Sequence, residues 1–410
     1  MKVLIVLGVF IATTAAVSPF YEKYVKFFNE TLPNSPYLMK LWKEHRANYT
    51  KAVETANKNT KTRAIHRYPV PNFNCHTTTP WGGREASSVH QLHPGDIKVV
   101  AALGDSLTAG NGIDATFILD DLIEYRGLSW SIGGDGSLDT GELTLPNILK
   151  KFNGVYGYSL GTGGRGGSKS KFNVADPGDT SYDMPEQARL LIDRMRKDTS
   201  INFLKDWKVI TLFVGGNDLC ASCHDVNKWS PVNYGNNIKQ ALDMLHNEVP
   251  RAFVNLVPIF DIAPVAALST GFLCSLAHIM VCDCGHNKNN AGVLKSLADQ
   301  YVIQLEDLVA TGIYDTRDDF TVVIQPFFKN TLPPSAGSKG NIDMTYFSED
   351  CFHFSGKGHG AAALSLWNNM LESVGQKQQE WHLDQEFLCP GTHVCLAAAH
   401  DHWFFTTTKN

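Results

Sequence analysis

Ile97-Lys98-Val99-Val100-Ala101-Ala102-Leu103-Gly104-Asp105-Ser106-Leu107-Thr108-Ala109-Gly110 is a short, nearly continuous apolar run that breaks at a glycine turn carrying an aspartate and a serine. A run of this kind bounded by turn residues predicts a strand buried on both faces. The pattern recurs. Val209 to Val214 ends at Gly215-Gly216-Asn217-Asp218, and Phe253 to Phe260 and Phe320 to Ile324 read as two further strands. Helical period fills the intervals: Ala188, Leu191, Ile192 and Met195 after Pro185, then Ile238, Ala241, Leu242 and Leu245. Val293, Leu297, Tyr301 and Leu305 mark another helix, and Ala361 to Val374 a last one, with His359 and Gly360 near its start. Strands alternating with helices predict an α/β fold with a mostly parallel central sheet covered on both faces. Ligands bind beyond the carboxyl ends of such strands, which directs attention to the Gly-Asp-Ser and Gly-Gly-Asn-Asp turns.

The rest of the chain bounds the setting. Its 410 residues are 43% hydrophobic and 19% charged, which excludes a disordered protein. Net charge is −5, so the basic footprint of a nucleic-acid binder is missing. Lys2, the apolar run Val3 to Ala12 and the small residues Thr13 to Ala16 have the three-part pattern of a secretory signal peptide over residues 1–16. A secreted chain is therefore expected, with Asn29-Glu30-Thr31 and Asn48-Tyr49-Thr50 as glycosylation sequons. Residues 17–72 read as a polar, partly helical leader of unknown role, and residues 399–410 as a tail too short to anchor. The main domain is expected over residues 73–398.

Nine cysteines in an oxidising compartment should mostly pair, and the odd count leaves at least one over. Cys220-x-x-Cys223 and Cys282-x-Cys284 could signal zinc or redox chemistry. A zinc ribbon needs two separated C-x-x-C pairs, however, and only one exists, so structural disulfides are the expectation.

Three motifs compete for the chemistry. Gly161-Thr162-Gly163-Gly164-Arg165-Gly166 matches G-x-G-x-x-G, but Gly167-Ser168-Lys169-Ser170-Lys171 follows where a dinucleotide site needs a helix. Gly157-Tyr158-Ser159-Leu160-Gly161 matches the G-x-S-x-G nucleophile elbow, which needs a strand before it and a helix after it. Gly154 and Gly157 weaken that strand, and Ser159 reads as a surface-loop serine. Ser106 has the context that the others lack. A serine nucleophile also needs a base and a group that orients the base. Asp350-Cys351-Phe352-His353 supplies both within four residues. Asn217, with the backbone N–H groups of Ser106 and Gly178, could hold the oxyanion. His359 is the nearest rival base, but only His353 has an aspartate three residues before it.

Taken in order, these blocks resemble the GDSL (SGNH) hydrolases, and more closely the phospholipase B1 type of that superfamily. The resemblance rests on Pro94-Gly95-Asp96-Ile97-Lys98 leading into the serine turn and on Tyr125-Arg126-Gly127-Leu128-Ser129-Trp130-Ser131-Ile132-Gly133-Gly134-Asp135. It continues through Phe213-Val214-Gly215-Gly216-Asn217-Asp218-Leu219-Cys220, Tyr314-Asp315-Thr316-Arg317 and Asp350-Cys351-Phe352-His353-Phe354-Ser355. It covers about Phe73 to Gln376. It implies a three-layer α/β/α sandwich and a serine esterase acting on glycerophospholipids and lysophospholipids without metal or cofactor. Ser106 would be nucleophile, His353 base and Asp350 its orienter, with Ser106, Gly178 and Asn217 forming the oxyanion hole. Gly178, in Asn173-Val174-Ala175-Asp176-Pro177-Gly178, stands for the glycine of the second block. The expected partner is a lipid at a membrane or micelle surface, with no stable protein partner.

Because His353 must be neutral to act as base, activity is expected to fall below about pH 6. Two other readings stand beside this one: an esterase of the same fold acting on acetylated sugars, and a catalytically silent lipid-binding protein. An acyl pocket lined by Leu268 to Met280 would favour lipid.

Overall fold

The structure, a computed structural model, describes residues 65–78, 85–116, 118–266, 268, 272–336, 341–391 and 405–409. The expected signal peptide, Asn29, Asn48, the leader up to residue 64 and Cys395 lie outside the described residues.

Four parallel strands form the sheet in the order β1 (Ile97–Gly104), β2 (Trp207–Phe213), β3 (Ala252–Val257) and β4 (Phe320–Ile324). Nearly every residue of these strands is buried, as expected of a parallel sheet covered on both faces. β3 ends three residues short of Phe260, because Pro258 has no N–H to continue the ladder. A separate two-residue antiparallel pair, β5 (Ser335–Ala336) with β6 (Asn341–Ile342), stands outside this sheet.

The free edge of β1 is not bare. Val100 donates to the Tyr156 carbonyl (2.9 Å), Ala102 to Phe172 (3.0 Å) and Val174 back to Ala102 (3.0 Å). The chain thus leaves β1, lays a broken parallel rung along its outer side, and only then crosses to β2. This reversal makes the carboxyl end of β1 a topological switch point, where open α/β sheets leave a crevice.

The main helices are α1 (Leu145–Leu149), α2 (Met184–Lys197), α3 (Pro231–Glu248), α4 (Phe272–Val281), α5 (Ala291–Ala310) and α6 (Gly356–Leu371). α2, α3 and α5 pack side by side on one face. α2 turns Ala188, Leu191, Ile192 and Met195 inward, and Pro185 fits its first turn because no intrahelical bond is lost there. α6 and α1 cover the other face, where Met370 of α6 meets Asn255 of β3 (Nδ2 to Sδ, 3.5 Å). The result is an α/β/α sandwich. α6 is buried along all its length except at Lys357, so it is the spine of its layer.

Residues 65–72, on the leader side of the expected boundary, pack against this spine. A Cβ at Gly360 would stand 2.6 Å from the Tyr68 Cβ, so glycine there lets Tyr68 in. Arg67 pairs with Glu142 (3.1 Å) and with Asp114. Just beyond it, the Cys75–Cys389 disulfide fastens the chain to a segment near its far end.

Candidate active site

β1 delivers Ser106 to the switch point. Gly104 is required there, since a Cβ would lie 2.4 Å from the Phe213 carbonyl of β2. Asp105 then caps a single helical turn, Ser106–Ala109, by accepting the Leu107 N–H (3.0 Å). The Ser106 N–H at the start of that turn has no protein acceptor among the described residues.

The Asp350–His353 loop arrives from the opposite direction. Asp350 Oδ1 accepts the N–H groups of Phe352 and His353, both at 2.9 Å. Its Oδ2 lies 2.5 Å from His353 Nδ1, and His353 Nε2 lies 2.7 Å from Ser106 Oγ. With Nδ1–H committed to the carboxylate, Nε2 is the lone pair that faces the serine hydroxyl. All three side chains are buried. Burial works against an imidazolium at His353, yet the Asp350 carboxylate, aided by Asp105, outweighs it and raises the pKa. Burial likewise raises Asp350, but His353 and the three hydrogen bonds overcome it and keep the carboxyl low. Asp105, fully buried, is pushed up to about 7.

Asn217 stands just past β2, on the short helix Gly216–Ala221, and donates to the Asp179 carbonyl (2.8 Å). A second amide hydrogen remains. Gly178 precedes Asp179 in a left-handed turn (φ 87°), and its N–H has no protein acceptor among the described residues. Ser106 and Asn217 line one cleft; Gly178 is not among its lining residues, and its chain neighbour Asp179 accepts from Asn217. The apolar wall of that cleft is Ile259, Phe260, Ile262, Val265 and Phe352. Part of Leu268 to Met280, the stretch whose lining of an acyl pocket would favour lipid, lies outside the described residues. β3 stops at Val257, so the residues just after it reach the end of the sheet.

The rival motifs fall away on position. Ser159 is buried, not on the surface as expected, and donates to the Arg126 carbonyl (2.7 Å). Gly161 to Gly166 forms a loop, with no α-helix until Met184. His359 accepts the Trp130 N–H (3.2 Å) deep in α6, where burial lowers its pKa to about 3. It is a packing residue.

Arg126 carries structural weight that the sequence did not announce. It is buried, pairs with Glu124 (2.5 Å), and donates to the carbonyls of Asn173 (3.1 Å) and Ala175 (2.8 Å). It therefore holds the segment that ends at Gly178. A charged residue inside the otherwise apolar Tyr125-Arg126-Gly127-Leu128 was the available signal.

Disulfides frame the site. Cys220–Cys282 and Cys223–Cys284 tie the Asn217 helix to the segment after α4, and Cys274–Cys351 ties α4 to the Asp350–His353 loop. All eight cysteines among the described residues are paired. Cys223, His224 and Cys284 form the one cluster of potential metal ligands among the described residues, and two of its members are a disulfide. Such bonds fit a non-cytosolic compartment. Among the described residues, no helix is long and apolar enough to cross a membrane.

Solved structures similar to the chain include a GDSL-like lipase from Parabacteroides merdae (14% identity, TM-score 0.35, covering 66% of this chain and 94% of that one). Another is an extracellular lipase from Streptomyces rimosus (15% identity, TM-score 0.34, 66% and 98%). Curated relatives are more similar in sequence. Membrane-associated phospholipase B1 of Mus musculus is 47% identical over 334 residues, which is 79% of this chain and 22% of that protein. The Homo sapiens protein of that name is 44% identical over 353 residues, 84% and 24% respectively. The chain thus spans about a quarter of the length of the curated relatives it matches. The model of the GDSL-like Lipase/Acylhydrolase family matches residues 100–366, from inside β1 into α6, and so takes in Ser106, Asn217, Asp350 and His353. With that match over more than half its length, the chain belongs to the GDSL-like lipase/acylhydrolase family.

Proposed function

We propose that the protein is a secreted serine esterase that hydrolyses acyl esters of glycerophospholipids and lysophospholipids. The observation that carries this reading is the relay Asp350–His353–Ser106, with contacts of 2.5 and 2.7 Å at the switch point of the sheet. Beside it Ile259, Phe260, Ile262, Val265 and Phe352 offer an apolar surface to an acyl chain. The relatives, named phospholipase B1, support the lipid substrate.

In this mechanism His353 Nε2 takes the hydroxyl proton as Ser106 Oγ bonds to the ester carbonyl carbon. Asp350 keeps Nδ1 protonated and stabilises the imidazolium. The oxyanion is met by the Ser106 and Gly178 N–H groups and by the remaining amide hydrogen of Asn217. Collapse breaks the carbon–oxygen bond to the glycerol, which leaves with the proton from His353. Water, deprotonated by His353, then attacks the acyl-serine and releases the fatty acid and the serine. Secretion would follow removal of residues 1–16, with Asn29 and Asn48 as glycosylation sites, and a hydrolase unit ending near residue 398.

The test is fatty-acid release from mixed-acyl phosphatidylcholine and its lysophospholipid by wild type, Ser106→Ala and Ser159→Ala. Loss in Ser106→Ala alone supports the reading. Inert wild type on lipids, with short soluble esters cleaved through Ser106, would replace the substrate class and leave the relay standing.

A further inference from the structure

Behind the relay lies a second carboxyl that the proposed mechanism does not use. Asp121 is fully buried and makes no ion pair among the described residues. The charges that act on it most are those of Asp350, Glu349 and Asp120, all carboxylates. Its Oδ2 has no hydrogen-bond partner among the described residues, and its Oδ1 meets the Ser348 hydroxyl. That hydroxyl also lies 2.6 Å from the Gly112 carbonyl.

The hydrogens can be counted. A serine hydroxyl has one hydrogen, and a carbonyl oxygen can only accept. If Ser348 gives its hydrogen to Gly112, the contact with Asp121 needs a hydrogen from Asp121. If it gives it to an Asp121 carboxylate instead, two bare oxygens face each other at 2.6 Å. Only a protonated Asp121 satisfies both contacts. Burial, followed by the Asp350 charge, pushes this carboxyl well up, in the same direction.

The chain Asp121–Ser348–Gly112 joins the two halves of the site. On one side, Gly110 and Asn111 donate to the Ser106 carbonyl (2.8 and 3.0 Å), and the Asn111 amide reaches the Asp121 carbonyl (3.2 Å). On the other, the Ser348 N–H holds the His353 carbonyl (2.8 Å). We propose that Asp121 is a positioning residue kept as a neutral carboxylic acid, whose O–H braces the nucleophile turn against the Asp350–His353 loop through Ser348. The inference rests on the esterase reading for its effect on rate, though the protonation state does not.

Two measurements test it separately. The first is the His353 imidazole titration by NMR in wild type and Asp121→Asn, which needs no activity. If Asp121 is neutral, the isosteric amide leaves the His353 pKa unchanged. If it is ionised, removing its charge lowers that pKa, and the proposal falls. The second is kinetic. Asp121→Asn should keep kcat, whereas Asp121→Ala and Ser348→Ala should lose roughly 100-fold in kcat, as expected of a misplaced relay, with KM little changed. Should Asp121→Asn fail to fold, a protonated-carboxyl infrared band seen in wild type and shifted in Ser348→Ala carries the test, and its absence overturns the proposal. Full activity in folded Ser348→Ala overturns the positioning role. An inactive wild type with an unmoved His353 pKa would instead sink the esterase reading and leave the neutral acid in place.

Discussion

Asp350→Asn isolates what the carboxylate does apart from what the loop does. Asparagine can keep its oxygen where Oδ1 now accepts the Phe352 and His353 N–H groups, both at 2.9 Å, so the loop retains its backbone bonds. Its NH₂ then occupies the Oδ2 place, 2.5 Å from His353 Nδ1, where two N–H groups cannot face each other. The imidazole escapes by moving its proton to Nε2. That atom, 2.7 Å from Ser106 Oγ, would then be a donor and could not take the hydroxyl proton. A serine hydrolase caught in the wrong tautomer loses about 10⁴ in kcat, equivalent to about 5 kcal/mol of transition-state stabilisation. The assay is burst and steady-state hydrolysis of a short chromogenic ester, with urea unfolding to show that the fold persists. KM should hardly move. A further signature comes from charge: without Asp350, burial at His353 goes largely unopposed, so the His353 pKa drops instead of rising. A folded Asp350→Asn enzyme with kcat within tenfold of wild type would remove Asp350 from the relay.

Other expectations can be checked with the same enzyme. The expected loss of activity below about pH 6 moves upward: His353 is protonated below a pKa raised above the ordinary 6.5, so kcat/KM should fall as pH drops through a value above 6.5, and a profile flat to pH 6 would contradict the Asp350–His353 pairing. Asn217→Ala should lose roughly 100–1,000-fold in kcat while staying folded; near-normal turnover would take Asn217 out of the oxyanion hole. The Cys274–Cys351 bridge closes a loop of sequence separation 77 and anchors the Asp350–His353 loop. Replacing both cysteines by serine should cost up to roughly 4–5 kcal/mol in a denaturant melt by loop entropy, with a larger fractional loss of kcat than of binding.

Much of the site was legible because its signals are local. Asp350 and His353 are three residues apart, and a loop that short can close the carboxylate on its own imidazole, as it does here at 2.5 Å. Ser106 and Asn217 each follow a buried apolar run, and strand ends are where a parallel sheet exposes its chemistry. The broken rung beside β1 was not legible. Tyr156 and Phe172 to Val174 meet the strand at isolated positions with a glycine loop between them, so no run of alternating or apolar residues marks it. Ser159 looked like a loop serine because nothing local shows that Arg126 and Ile132 close over it.

Sequence alone settled the fold class and the residue types placed at the turns, since both follow from periodicities of a few residues that packing need not amend. Tertiary structure settled which distant segments meet. Cys220 pairs with Cys282 and Cys223 with Cys284, across more than sixty residues each, because the ends of β2 and β3 are neighbours. The wall of the cleft falls on Ile259 to Val265 because Pro258 ends β3 at the sheet rim. Asp121 is pushed toward its neutral form by burial and by the Asp350, Glu349 and Asp120 carboxylates, which folding brings to it. Contacts of this kind depend on dielectric and distance, and neither exists until the segments have come together.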